Sequence, residues 1–408
     1  MSADRVAITG LGLMTGLGLD LETSWAGLLA GRGPIRRFSL FDPAGLPAPF
    51  GVELPPGAEE LFARHIRPRQ RRQMTRGTMI ALVAAQMALT DAGVETGGLD
   101  RARVGVAVGA TGTGYAPLTA DPDEHRILRN MASASAAWIG LHGRFEGPSL
   151  VVSTACSSGA YALHAAHGLI AGGQCDVVIS GAADSSVTFL DVRGFSSLMA
   201  LSEDVENLAT ASRPFDKDRG GFVLGEGGGM LVLESVERAR KRGARVYAEL
   251  SPPGLSTDTY NILSPGPDGA SMARAMELAL RNAGLPPADV DYINAHGTST
   301  RLNDLYETLA IKTVFGERAG RVPVSSTKSM TGHCLSAAAG IEAVICCKAL
   351  HEGWIPPTAN LATPDPELDL DFVPNVARRK DLAHVMSNSF AFGGHNGVCV
   401  FSRPGGAR

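Results

Sequence analysis

The chain has 408 residues and lacks paired cysteines: Cys156, Cys175, Cys334, Cys346, Cys347 and Cys399 form no Cys-x-x-Cys pair and no zinc-like cluster. That fits a reduced, cytosolic protein better than a disulfide scaffold. Long hydrophobic runs are also missing, and Met1-Ser2-Ala3-Asp4-Arg5 leads into a strand pattern without a signal-peptide core. A cytoplasmic location with no membrane partner is therefore expected. Strong charge of one sign is absent as well. A net charge of −4 gives no general reason to bind nucleic acid.

Glycine, by contrast, is plentiful, with 49 residues, many in pairs beside strand-like runs. The length is large for one core and predicts two packed halves. Val6–Thr9, Val104–Val108 and Asp176–Ile179 read as strands. Glu22–Ala30, Met74–Ala92 and Tyr161–Ala171 read as helices. The theme returns with strands at Val290–Ala295, Val322–Ser325, Val385–Ser389 and Val398–Phe401, and helices at Asp304–Val314 and Ala337–Leu350. Such alternation predicts an α/β fold with a mainly parallel sheet. Val151–Ala171 and Val322–Leu350 share a plan of strand, Ser/Thr-rich turn and Ala-rich helix, as an internal duplication would produce. Turn-formers across 251–270 mark the boundary and divide the chain into 1–250 and 251–408.

Cys156 lies where the strand-like Val151-Val152 meets Ser153-Thr154-Ala155 and an apolar helical stretch. A cysteine in the first turn of a helix faces unpaired N–H groups that favour a thiolate, and a thiolate is a strong nucleophile. The competing reading is a small buried hydrophobe. Two histidines weigh against it. His296, in Asn294-Ala295-His296-Gly297-Thr298-Ser299-Thr300, and His333, closing Lys328-Ser329-Met330-Thr331-Gly332-His333, both follow predicted strand ends, where α/β sheets bind ligands. Neither has a second ligand at metal-binding spacing, so no metal site is expected.

Two further features admit other readings. Gly10-Leu11-Gly12-Leu13-Met14-Thr15-Gly16 approaches a dinucleotide-binding turn, but Thr15 stands where the third glycine belongs. A nicotinamide-dependent oxidoreductase stays as an alternative on that motif alone. Arg64, Arg67, Arg69, Arg71, Arg72 and Arg76 crowd together with no acid among them. They form either a solvated loop or a docking surface for an anionic partner.

Five separated stretches resemble the β-ketoacyl-acyl-carrier-protein synthases, condensing enzymes of the thiolase superfamily. They are Thr154–Gly159, His296–Thr300, Lys328–His333, Asn388–Gly394 and Ser212–Val223, and the resemblance runs from Val6 to Phe401. It implies a thiolase-like fold of two duplicated α/β halves in a five-layer αβαβα arrangement, the first half carrying the cysteine and the second the histidines. It implies decarboxylative condensation of an acyl group on Cys156 with malonyl-acyl-carrier protein, without cofactor or metal. The N–H groups of Cys156 and Phe392 would form the oxyanion hole. His296 and His333 would assist loss of CO2 and stabilise the enolate. Lys328 and Glu342 would hold the histidine region, Thr298 and Thr300 would bind the phosphopantetheine arm, and Phe392 would gate the acyl pocket.

The implied partners are acyl carrier protein and a second subunit, giving either a homodimer or a heterodimer with a ketosynthase-like chain-length subunit. A non-catalytic subunit of that kind is itself an alternative reading of this chain, although such subunits typically lack the cysteine. Some features depart from the commonest fatty-acid pattern. Gly109–Gly114, including Gly112 as a pocket residue, lacks the bulky side chain that often blocks the acyl pocket. The 114–156 segment is short, Ala391 and His395 replace a frequent glycine and threonine, and Arg301-Leu302-Asn303-Asp304 resembles polyketide-type ketosynthases. These departures favour a type II polyketide or polyene pathway over primary fatty-acid synthesis.

Overall fold

The computed structural model describes residues 6–94, 99–111 and 125–405. Its main sheet has eleven strands: β1 Val6–Met14, β2 Val104–Gly109, β3 Ser149–Val152, β4 Val177–Asp184, β5 Gly227–Ser235, β6 Ala248–Leu250, β7 Gly254–Thr257, β8 Tyr292–Asn294, β9 Val324–Ser325, β10 His384–Phe390 and β11 His395–Ser402. The order within β1–β5 repeats within β7–β11. In each set the first strand pairs antiparallel with the last, and the last antiparallel with the fourth. The fourth then runs parallel to the second, and the second parallel to the third. Short β6 joins the two sets by pairing with both β1 and β11.

The helices repeat too. α1 Leu21–Ala30 and α2 Ala58–His65 precede α3 Arg76–Asp91, α4 Ala134–Gly143 and α5 Ser158–Ala171, which fill the three crossovers of the first set. After α6 Phe189–Ser197, the crossovers of the second set hold α7 Ala270–Ala283, α8 Arg301–Phe315 and α9 Ala338–Glu352. α5 and α9 pack on each other and on strands between the two halves, while α3 and α7 cover the outer faces. This is the thiolase-like layering.

Glycines set the close approach at the centre. A Cβ on Gly159 of α5 would lie 2.7 Å from the Gly340 nitrogen of α9, and one on Gly340 would lie 2.5 Å from the Ala182 nitrogen of β4. Only hydrogen fits there, so the helix after Cys156 and the helix after His333 are drawn together.

The Gly10–Gly16 stretch is not a turn at its start, because β1 continues past Thr9 through Gly10 and Gly12 to Met14. A Cβ at those two glycines would lie 2.1 Å from the Ala88 oxygen and 2.0 Å from the Ala84 oxygen of α3. They serve helix-on-strand packing and form no dinucleotide turn, which removes the basis of the oxidoreductase alternative. The turn-formers of 251–270 also enclose β7, which was not foreseen. No described helix is long and apolar enough to cross a membrane.

Candidate active site

Cys156 sits two residues before α5, on a turn rather than in the helix. Ala155 takes φ 49°, a left-handed conformation unusual for a side-chain-bearing residue. The turn is held by Ser158 Oγ donating to the Ala155 oxygen at 2.6 Å and by Ser157 Oγ donating to the Thr154 oxygen at 2.8 Å. The expected standing thiolate is corrected as well: burial pushes the thiol up to about 12, with Lys328 pulling the other way. The resting group is a thiol, because a desolvated negative charge costs more here than the surroundings return.

His296 follows β8 on a loop pinned by a buried carboxylate. The His296 and Gly297 N–H groups donate to the two Glu307 oxygens, each at 2.8 Å, and Asn388 donates to the same carboxylate at 3.0 Å. Gly297 adopts φ 40°, where a Cβ would lie 2.5 Å from that of Ser326. His333 is fixed through its main chain, its N–H donating to Val223 at 2.7 Å.

The two imidazoles stand edge to face with centroids 5.5 Å apart; Phe222 packs on His333 at 5.0 Å and Phe390 on His296 at 6.0 Å. Burial, then the charge of Lys328, holds both histidines well below their ordinary value, so both are neutral. Lys328 Nζ donates to the His296 oxygen at 2.7 Å and approaches His296 Nδ1 at 3.4 Å. An ammonium can only donate, which leaves Nδ1 as acceptor and the imidazole proton on Nε2. Glu342 forms the buried ion pair with Lys328.

A cavity of about 420 Å³ is lined by Cys156, His296, His333, Thr298, Thr300 and Phe392, among others. The Thr298 and Thr300 hydroxyls lie 2.8 Å apart on one wall. Among the described residues, neither the Cys156 nor the Phe392 N–H is taken up by another residue's carbonyl in a turn. The site therefore brings the Cys156 thiol, two neutral imidazoles and Phe392 to one cavity. Lys328 and Glu342 lie behind the histidines, and Gly112 falls outside the described residues. No group of three or more His, Cys, Asp or Glu side chains among the described residues converges as a metal site.

The arginines divide. Arg64 and Arg67 line a second groove with His65, His142 and Arg144; Arg69 and Arg72 are exposed, and Arg71 is half-buried. Arg76 does not belong with them. Its guanidinium binds Glu226 through two nitrogens, at 2.7 and 2.8 Å, and also pairs with Glu59. The sequence reading missed Arg144, which reaches the groove from the end of α4, far away in sequence. It also missed Glu307, whose only signal is a second acid three residues after Asp304 in the same helix.

Comparison with known proteins covers the whole molecule. The family model "Beta-ketoacyl synthase, N-terminal domain" matches residues 3–239, and the model of the C-terminal domain matches residues 247–362. A 3-oxoacyl-[acyl-carrier-protein] synthase 2 of Staphylococcus aureus (strain N315) is 38% identical over 417 residues, covering 98% of each chain. The protein of that name from Synechocystis sp. is 41% identical over 419 residues, again covering 98% of each. Among solved structures, the ishigamide ketosynthase/chain length factor superposes with a TM-score of 0.88 at 34% identity, covering 99% of this chain and all of that one. A type II polyketide ketosynthase in complex with its acyl-carrier protein gives 0.87 at 31% identity, covering 98% of this chain and 99% of that one.

Proposed function

The chain belongs to the β-ketoacyl synthase family, and from that premise we propose that it is an elongating β-ketoacyl-acyl-carrier-protein synthase of a type II polyketide or polyene pathway. The observation that carries the condensation is the meeting of Cys156 with two neutral histidines in one cavity. The 1–250 half supplies the nucleophile and the 251–408 half the histidines.

The reaction runs in three steps. Cys156 gives its proton to a neighbouring imidazole, and its sulfur attacks the carbonyl of the acyl thioester. The tetrahedral oxyanion rests on the Cys156 and Phe392 N–H groups, and the carrier thiol leaves with a proton. Malonyl-carrier protein then enters, its arm bonded to Thr298 and Thr300. The bond to its carboxylate breaks, CO2 departs, and the electron pair becomes an enolate whose oxygen accepts from His296 Nε2–H and from His333. Finally the enolate carbon attacks the acyl carbonyl, the new carbon–carbon bond forms, and the Cys156 sulfur is expelled as a thiolate that takes a proton from water to restore the thiol. Phe392 gates the acyl cavity. Neutral imidazoles suit the middle step because they donate a hydrogen bond without burying a second full positive charge beside Lys328.

The polyketide assignment is supported by Arg301-Leu302-Asn303-Asp304 and by the similarity to a type II polyketide ketosynthase among solved structures. The carrier's acidic face is assigned to the groove of Arg64, Arg67 and Arg144, and the second subunit is either another copy or a chain-length subunit. The protein is placed in the cytoplasm. Incubation with malonyl- and acyl-carrier proteins tests the function: a β-ketoacyl product with release of CO2 is expected, and absence of both from a correctly folded protein overturns it.

A further inference from the structure

Asp184 ends β4 without any exposed surface and takes no part in the three steps of the reaction. Three hydroxyls and one main-chain N–H donate to its carboxylate. Thr111 Oγ1, two residues past β2, donates at 3.1 Å, and Ser186 Oγ, two residues past β4, at 2.8 Å. The Ser336 N–H donates at 3.2 Å, and the Ser336 hydroxyl donates to the same oxygen. Ser336 belongs to the other half of the chain, between His333 and the start of α9. Burial pushes the Asp184 carboxyl up to about 6, while Ser336, Ser186 and Thr111 pull it back. A buried charge is costly unless it is hydrogen-bonded, so these donors are what retain it.

The residue beside Ser336 shows what this carboxylate holds. Leu335 has φ 45°, a left-handed conformation that a bulky side chain rarely adopts. It lines the cavity with Cys156 and His333, and it shares one apolar cluster with Cys156, Phe38 and Phe222. Backbone strain of this kind persists only where the surroundings over-determine it. Two hydrogen bonds from the adjoining Ser336 to a buried carboxylate do so. Thr111 and Ser186 fix the same carboxylate from the first half, so the Leu335 turn is anchored across the boundary between the halves. A buried network with every donor satisfied specifies one arrangement of the segments that meet in it.

We propose that Asp184 is a positioning residue for acyl selection: it draws the Ser336 turn against β4 and so keeps Leu335 as a fixed wall of the cavity at Cys156. This rests on the condensing function above, because it concerns the acyl group that Cys156 receives. A fixed wall at this place discriminates against a branch next to the thioester carbonyl and leaves a straight chain undisturbed. Asp184 acts through Leu335 and touches no substrate atom.

The test follows acylation of Cys156 in the full chain by intact mass, from butanoyl- and isobutanoyl-carrier protein, whose acyl groups have the same number of carbons. The quantity read is the ratio of kcat/KM for the branched group to that for the straight one. Leu335→Ala removes the wall, Ser336→Ala removes one donor and keeps the charge, and Asp184→Asn keeps the size and removes the charge. Each is expected to raise the ratio by roughly fivefold or more over wild type. Added to Leu335→Ala, Asp184→Asn is expected to change the ratio by less than about twofold, because the wall it positions is already gone. A general loss of stability lowers both rates together and leaves the ratio where it was. An unchanged ratio in Leu335→Ala overturns the proposal whatever the other variants do. So does an unchanged ratio in Ser336→Ala, which decides the matter if Asp184→Asn does not fold. A wild-type chain acylated by neither carrier protein refutes the condensing function instead.

Discussion

Lys328 Nζ stands 3.4 Å from His296 Nδ1 and donates to the main-chain oxygen of the same residue. One buried cation thereby fixes both the position of the imidazole and the nitrogen that keeps its proton, leaving Nε2–H as a donor.

Lys328→Met is expected to keep acyl loading at Cys156 while decarboxylation and condensation fall by about 10²–10³, the usual cost of one transition-state donor. The variant also leaves Glu342 buried without its partner, for which about 3–5 kcal/mol of stability is the expected loss. Release of CO2 and intact mass, measured on one preparation, separate the two effects. Unchanged CO2 release refutes the tautomer argument.

Both histidines are neutral in the folded chain and gain protons near their ordinary value of 6.5 once unfolded. Below that pH the unfolded state binds more protons, so stability is fully present above about pH 6.5 and declines as pH falls. Calorimetric Tm at about pH 5.5 and 7.5 is expected to show this loss, and a His296→Asn, His333→Asn double variant a shallower one. An equal slope in the two proteins contradicts the burial argument.

Gly340→Ala puts a methyl group 2.5 Å from the Ala182 nitrogen and 2.7 Å from the Gly229 oxygen. Backbone cannot swing aside as a flexible side chain can, so a loss of about 1–3 kcal/mol is expected in a denaturant titration. An unchanged midpoint means the helices have room to separate.

The arginines are expected to split by function. Arg67→Glu with Arg144→Glu should raise the carrier KM at low salt with little change in turnover or Tm, because exposed charges act chiefly on association. Arg76→Ala should instead lower stability, since it strands the buried Glu226 carboxylate. Identical behaviour of the two variants in carrier kinetics contradicts this division.

The outline of the fold was legible wherever apolar periodicity ran unbroken, as in α3, α9 and β10. It failed at β1, where Gly10 and Gly12 resemble a dinucleotide-binding turn, and at β5, whose Gly227–Gly229 gives no strand signal. Those glycines are extended, and their missing side chains make room for α3 and α9, which a local reading cannot see. In the site, Cys156, His296 and His333 stood out because each follows a strand end. The tautomer set by Lys328, the carboxylate clamp of Glu307 and the approach of Arg144 to Arg67 depend on contacts between segments far apart in sequence. The thiol was misjudged for a related reason: the helix end near Cys156 is visible locally, but the burial that opposes it comes from the whole fold.

Intact-protein mass spectrometry after incubation with acyl-carrier protein tests the acyl-enzyme directly. Wild-type chain is expected to gain the mass of one acyl group and Cys156→Ala none, with malonyl decarboxylation surviving in the variant because the histidines remain. An acyl adduct of wild-type extent on Cys156→Ala contradicts the role of this cysteine.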